Sequence, residues 1–189
     1  MKLIKAIMAV CFCAALITTE AKAEDYDTWE DVVSSNKAVN IYVKKVVNSS
    51  ENKKVSEERS TETVKKVFST RISPKFNIVS SEKEADIIFD GEVTDYVWME
   101  KAPITDIYGA GALAVDIATR GGKNYARKII QYRIYDVKSG KQLLEGETLV
   151  TLKRKGMPEE KSYEMMYSRG QKMLSKDLFK KDKKRTLMP

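Results

Sequence analysis

The stretch YARKIIQYRIYDVKSGKQLLEGETLVTLK, Tyr125 to Lys153, decides the fold. Ile130, Tyr132 and Ile134 alternate with Gln131 and Arg133, the period of two that marks a half-buried strand. Lys138-Ser139-Gly140-Lys141 is a compact turn signal, and Gln142 to Lys153 folds back as the second arm of a hairpin. Upstream, DIIFDGEVTDYVWM (Asp86 to Met99) reads as another long strand, with Gly91 as a bulge or bend and Pro103 beyond its end. Three long strands in this order predict an antiparallel meander.

Nearer the N-terminus, AVNIYVKKVV (Ala38 to Val47) is β-branched and partly alternating, so a first strand is expected, broken by Asn48-Ser49-Ser50. Ser56 has the chemistry of a helix N-cap, with Glu57 and Glu58 where the helix dipole favours carboxylates. Val64, Val67, Phe68 and Ile72 follow at helical spacing, and the Ser73-Pro74 step closes a helix predicted over Ser56 to Ile72. KFNIVS (Lys75 to Ser80) gives a short strand and Ser81 to Ala85 a polar turn. Gly156 and Pro158 end the sheet. A last helix then carries Tyr163, Met166, Tyr167, Gly170, Leu174 and Leu178 as an apolar stripe with lysines opposite. The expected fold is α+β: a mostly antiparallel sheet of about five strands with two amphipathic helices on one face, in the order β-α-β-β, a glycine-rich insertion, then β-β-α.

The chain begins with Lys2 and Lys5, an apolar run from Ala6 to Thr18, and Ala21-Lys22-Ala23. That order is the pattern of a cleavable secretory signal, and a run of about 13 residues is too short to cross a bilayer as a helix. The division expected is a signal peptide at 1–23, a polar flexible leader at 24–37, one α+β domain at 38–180 and a basic tail at 181–189. The expected address is periplasmic. A lipoprotein signal is the weaker alternative, because Val10 and Phe12 precede Cys11 and Cys13 where that signal wants a small residue.

Cleavage at this point removes both cysteines, and the chain has no histidine. No thiol, disulfide or imidazole remains for nucleophilic, redox or metal chemistry. Gly109-Ala110-Gly111 and Gly121-Gly122-Lys123-Asn124 lack the further glycines and the hydroxyl of phosphate-binding loops. Asp86, Asp90, Glu92 and Asp95 lack calcium-loop spacing, and nothing in the sequence brings Glu92 and Glu145 together as a catalytic pair. No catalytic residue, cofactor or metal is expected.

The formal charge is +7, falling to +5 without Lys2, Lys5, Lys22 and Glu20. Thr151 to Pro189 alone carries 12 Lys or Arg against 5 Asp or Glu, which leaves Glu24 to Val150 slightly acidic. A basic end favours an anionic partner such as lipid headgroups, lipopolysaccharide phosphates or an acidic protein surface, or else serves as a solubilising tail. Nucleic acid is not expected at an exported address. The glycine-rich stretch from Ile104 to Asn124 is too long for a hairpin turn. Its apolar residues Ile107, Tyr108, Ala110, Leu113, Val115 and Ile117 either fold back as core or stand out as a contact patch, with Tyr96 and Trp98 at its base.

Several phrases occur together: VVNSS (Val46 to Ser50), an amphipathic helix, KFNIVS, ADIIFDGEV (Ala85 to Val93) and YDVKSGKQLLEGE (Tyr135 to Glu147). In this order, over Val39 to Lys153, they resemble small bacterial envelope-assembly proteins of the LptE, LpoB and CsgG type. The resemblance implies a non-enzymatic binding module at the outer membrane, with a contact role for the insertion. The expected partner-binding residues are Trp98, Ile107, Tyr108, Leu113, Val115 and Ile117 with Lys172, Lys176, Lys180, Lys181, Lys183, Lys184 and Arg185. The expected partners are an envelope protein, lipopolysaccharide or an anionic membrane surface; an oligomer-forming structural or secretion component is the other reading.

Overall fold

The computed structural model describes residues 25–100 and 123–180. Within them, three helices and six strands form an α+β fold. The helices are α1 (Trp29–Ser34), α2 (Glu57–Ser69) and α3 (Glu159–Phe179). The strands are β1 (Val39–Val43), β2 (Val47–Asn48), β3 (Phe76–Val79), β4 (Ile87–Met99), β5 (Asn124–Asp136) and β6 (Gln142–Arg154). Five strands lie in the order β3-β1-β4-β5-β6, and β2 pairs with β4.

The three 13-residue strands make the expected antiparallel meander. The shorter strands pair in parallel: β1 lies between β3 and β4, and β2 continues alongside β4. The sixth strand is the two-residue β2, too short to register as a period in the sequence. The irregularity expected at Gly91 lies instead between Val93 and Asp95. Gly91 has a packing role: a Cβ there would sit 2.7 Å from Phe89 Cε1. Gly146 does the same for Tyr132, whose hydroxyl lies 2.5 Å from where its Cβ would be. The rings so accommodated, Phe89 and Tyr132, stack at 5.8 Å.

One sheet face is covered. Val39, Ile41 and Val43 of β1, Ile87, Phe89 and Val93 of β4, and Ala126, Ile130 and Ile134 of β5 are buried on it beneath Val64, Val67 and Phe68 of α2 and Met166 and Leu174 of α3. Full burial of a side chain such as Phe68 contributes about 1.5–3 kcal/mol. The Ser56 hydroxyl accepts from Arg59 N–H, starting α2 where the sequence places it. The helix ends three residues early. Thr70 is its C-cap, so Ile72 lies past the last turn and is 91% exposed rather than part of the buried stripe.

The segment expected as a flexible leader is folded over Asp25 to Lys37. Tyr26, Trp29 and Val32 recur every three residues and are buried, and Thr28 and Asp31 form a reciprocal capping box. Trp29 Nε1–H donates to the Leu178 carbonyl at 2.7 Å, tying α1 to the end of α3. Trp29, Phe68, Phe76 and Phe179 form a ring cluster with centroids 5.2–6.3 Å apart. A run of mixed polar residues hid three apolar anchors, because a helix of under two turns has too few positions to reveal its period.

The KSGK turn closes as expected. The Asp136 carboxylate accepts from the Ser139 N–H and hydroxyl, each at 2.7 Å, and Gly140 takes the positive φ of 68° that the turn needs. Segments 1–24, 101–122 and 181–189, and with them the signal peptide, most of the insertion and the tail, lie outside the described residues.

Candidate functional site

Two surfaces and one buried cluster have chemistry beyond packing. The first surface is the outward side of α3. Lys161, Arg169, Lys172, Lys176 and Lys180 are exposed there, with Glu164 the one carboxylate on the same arc. The spacing of three or four residues from Arg169 to Lys180 follows from the helical period that turns Met166, Gly170 and Leu174 inward. Among the described residues no ion pair engages Arg169, Lys172, Lys176 or Lys180.

The second is the sheet face that the helices leave uncovered. β4, β5 and β6 present two charged rows on it: Asp90, Arg133 and Glu145, then Glu92, Gln131 and Glu147. The backbone row of Gly91, Tyr132 and Gly146 runs between them, because those side chains are absent or directed to the covered face. The result is a trough of about 440 Å³ rimmed by four carboxylates and one guanidinium. Arg133 Nε–H donates to Glu145 at 2.9 Å, holding that carboxyl below its usual range. Lys44 approaches Asp90 at 3.8 Å. Glu92 and Glu145, unconnected in the sequence, are thus placed on one open face as solvated charges.

The buried cluster lies between β5, α2 and α3. Lys128 is 2% exposed, and its Nζ donates to Ser60 Oγ at 3.0 Å and sits 4.6 Å from the centre of the Tyr167 ring. Arg59 also lies 4.6 Å from that ring, and the Tyr167 hydroxyl accepts from Ser56 N–H. Nearby, the Tyr96 and Ser162 hydroxyls meet at 2.6 Å, and Tyr163 stacks on Tyr96 at 4.8 Å. Burial pushes the Lys128 ammonium down to about 7 and the Tyr96 phenol up to about 12. Among the described residues no carboxylate pairs with Lys128.

Serine beside a lysine of lowered pKa is the chemistry of an activated nucleophile. Ser60 is itself 2% exposed, and its hydroxyl donates to the Ser56 carbonyl at 2.9 Å. A substrate reaches this pair only if α2 and α3 separate, so the arrangement is one of interior polar packing. Sequence reading passed over Lys128, yet the signal was there. Ala126, Lys128, Ile130, Tyr132 and Ile134 share the parity of the covered face.

Of the residues expected to bind a partner, Trp98 lies opposite Ala126 on the covered face, partly buried against the core, and its indole N–H has no partner among the described residues. Lys172, Lys176 and Lys180 are exposed on α3. Ile107, Tyr108, Leu113, Val115, Ile117, Lys181, Lys183, Lys184 and Arg185 lie outside the described residues, so the structure unites only the three α3 lysines. Among the described residues no group of three or more Asp, Glu, Cys or His could hold a metal ion. None of the described helices is long and apolar enough to cross a membrane.

No family model matches the chain, and no curated protein matches its sequence. Solved structures do. The chain is similar to the PelC dodecamer of Paraburkholderia phytofirmans at 13% identity and a TM-score of 0.43, covering 73% of this chain and 87% of that one. It is similar to lipoprotein GNA1162 of Neisseria meningitidis at 12% identity and a TM-score of 0.43, covering 72% and 98%. The C-terminal domain of LpoB from Salmonella enterica matches at 11% identity and a TM-score of 0.38, covering 59% and 82%. None of these likenesses decides an activity or a partner.

Proposed function

We propose that this chain is exported under a leader cleaved before Glu24 and acts in the periplasm as a non-enzymatic accessory protein of envelope assembly. It binds an envelope component, either a protein complex or the phosphates of lipopolysaccharide or lipid, through the basic outer face of α3 and the insertion that follows β4. The likeness to the LptE and CsgG types belongs to this reading. The observation that supports it most is the row of exposed cations on α3, Arg169, Lys172, Lys176 and Lys180, which form no ion pair among the described residues. Such a row attracts an anionic surface over about 8–10 Å at physiological salt and loses its hold as salt rises.

The test is fractionation with in-cell crosslinking from positions 108, 113 and 176. Processed chain in the periplasm, crosslinked to lipopolysaccharide or an outer-membrane protein and released by high salt, supports the reading. Unprocessed chain held in the cytosol, or a purified protein that turns over a substrate, refutes it.

A further inference from the structure

The outer arc of α3 and the trough on the uncovered sheet face have opposite signs. The arc presents Arg169, Lys172, Lys176 and Lys180. The uncovered face presents Asp90, Glu92, Glu145 and Glu147, with Arg133 spent on Glu145 and Lys44 at the margin beside Asp90. Glu92 has no ion pair among the described residues, and Glu147 has only the Gln131 amide at 3.4 Å. We infer that the acidic trough on the uncovered sheet face receives the basic outer face of α3 from a second copy of this chain, in a head-to-tail contact.

Dimensions fit. Successive lysines at 172, 176 and 180 rise about 6 Å apart along the helix. The two charged rows lie two residues apart along the strands, about 6.6 Å, and each row spans three strands, about 9.6 Å. A helix laid parallel to the strands, across the trough, can therefore set adjacent lysines against carboxylates of both rows. The trough floor is bare backbone at Gly91 and Gly146, so the incoming side chains meet no wall between the rows. Every copy carries both surfaces on opposite sides, so one contact leaves a free face of each sign, and the assembly grows until it closes as a ring or continues as a filament. A lipid surface would satisfy the basic face alone and leave the carboxylates of the trough without a counterpart, which is why a second copy is the better occupant.

This inference rests on the reading of α3 as an attractive surface, and the experiment separates the two. Sedimentation velocity of the full chain at about 50 mM salt should show species larger than a monomer, dissociating at about 500 mM. Lys172→Glu with Lys176→Glu should sediment as a monomer, and so should Glu92→Lys with Glu147→Lys. All four positions are exposed, so folding is retained and is checked by circular dichroism. Mixing the two variants in equal amounts should restore association, because each then meets a complementary face. A wild-type chain that stays monomeric at low salt, or a mixture that fails to associate, overturns the inference. If the monomer nevertheless binds phosphatidylglycerol vesicles and the lysine variant does not, the basic face is attractive but its partner is lipid. If the lysine variant changes neither property, both readings fall.

Discussion

Replacing Lys128 with methionine should make the protein more stable at neutral pH and remove much of its pH dependence. The lysine is buried against Ser60 and Tyr167 with no carboxylate, and its folded pKa of about 7 lies well below the ordinary 10.5. The sign follows from proton counting. Between pH 7 and about 10.5 the unfolded chain holds a proton on Lys128 that the folded chain has released, so stability rises with pH through that window. At about 1.36 kcal/mol per pKa unit, the displacement sets an upper figure of about 5 kcal/mol for keeping this ammonium buried. Attraction to the Tyr167 face, up to about 2 kcal/mol, works in the opposite direction. The remainder predicts that wild type gains about 1–2 kcal/mol more than Lys128→Met between pH 7 and pH 9. Methionine matches the length of the stem, and Ser60 keeps its bond to the Ser56 carbonyl, so the substitution leaves no orphaned donor. Urea unfolding of both proteins at pH 7 and pH 9 measures the difference. Parallel pH responses, or a variant less stable than wild type at pH 7, would refute the reasoning. The comparison belongs below pH 10, because the raised Tyr96 phenol makes stability fall again between about 10 and 12.

Gly146→Ala should cost about 1–3 kcal/mol in thermal unfolding, since the new methyl meets a Tyr132 ring that Phe89 holds in place, and pairing it with Tyr132→Leu should recover part of the loss. Trp29→Ala should cost about 3–5 kcal/mol and open the chain before β1 to limited proteolysis, because it removes both ring packing and the bond to Leu178. Thr148→Val breaks the 2.7 Å bond to Asp177 that joins β6 to α3; as Asp177 is exposed, the loss should be about 1 kcal/mol by chemical denaturation.

The meander was legible because thirteen-residue strands repeat their alternation often enough to fix both length and face. The parallel half was not. Pairing β1 with β3 and with β4 brings together segments joined through α2, and no local period records which strand becomes the neighbour. Ile72 was misplaced because helical spacing continues on paper past a C-cap that only geometry reveals. At the site, the exposed lysines of α3 followed directly from the stripe opposite them. The trough did not, since it depends on the β4–β5–β6 register, which puts Glu92 in line with Glu147 and Asp90 in line with Glu145. Lys128 was legible in principle, but parity had to be trusted over the habit of placing lysine outside.

The indole of Trp29 finds its acceptor 149 residues downstream. Trp29 can stack on Phe76 early, but its hydrogen bond and the aromatic cluster stay incomplete until Leu178 and Phe179 have been made. A contact across so long a sequence separation closes more slowly than one between chain neighbours. The stretch before β1 therefore stays open to proteases and chaperones until the last helix is in place.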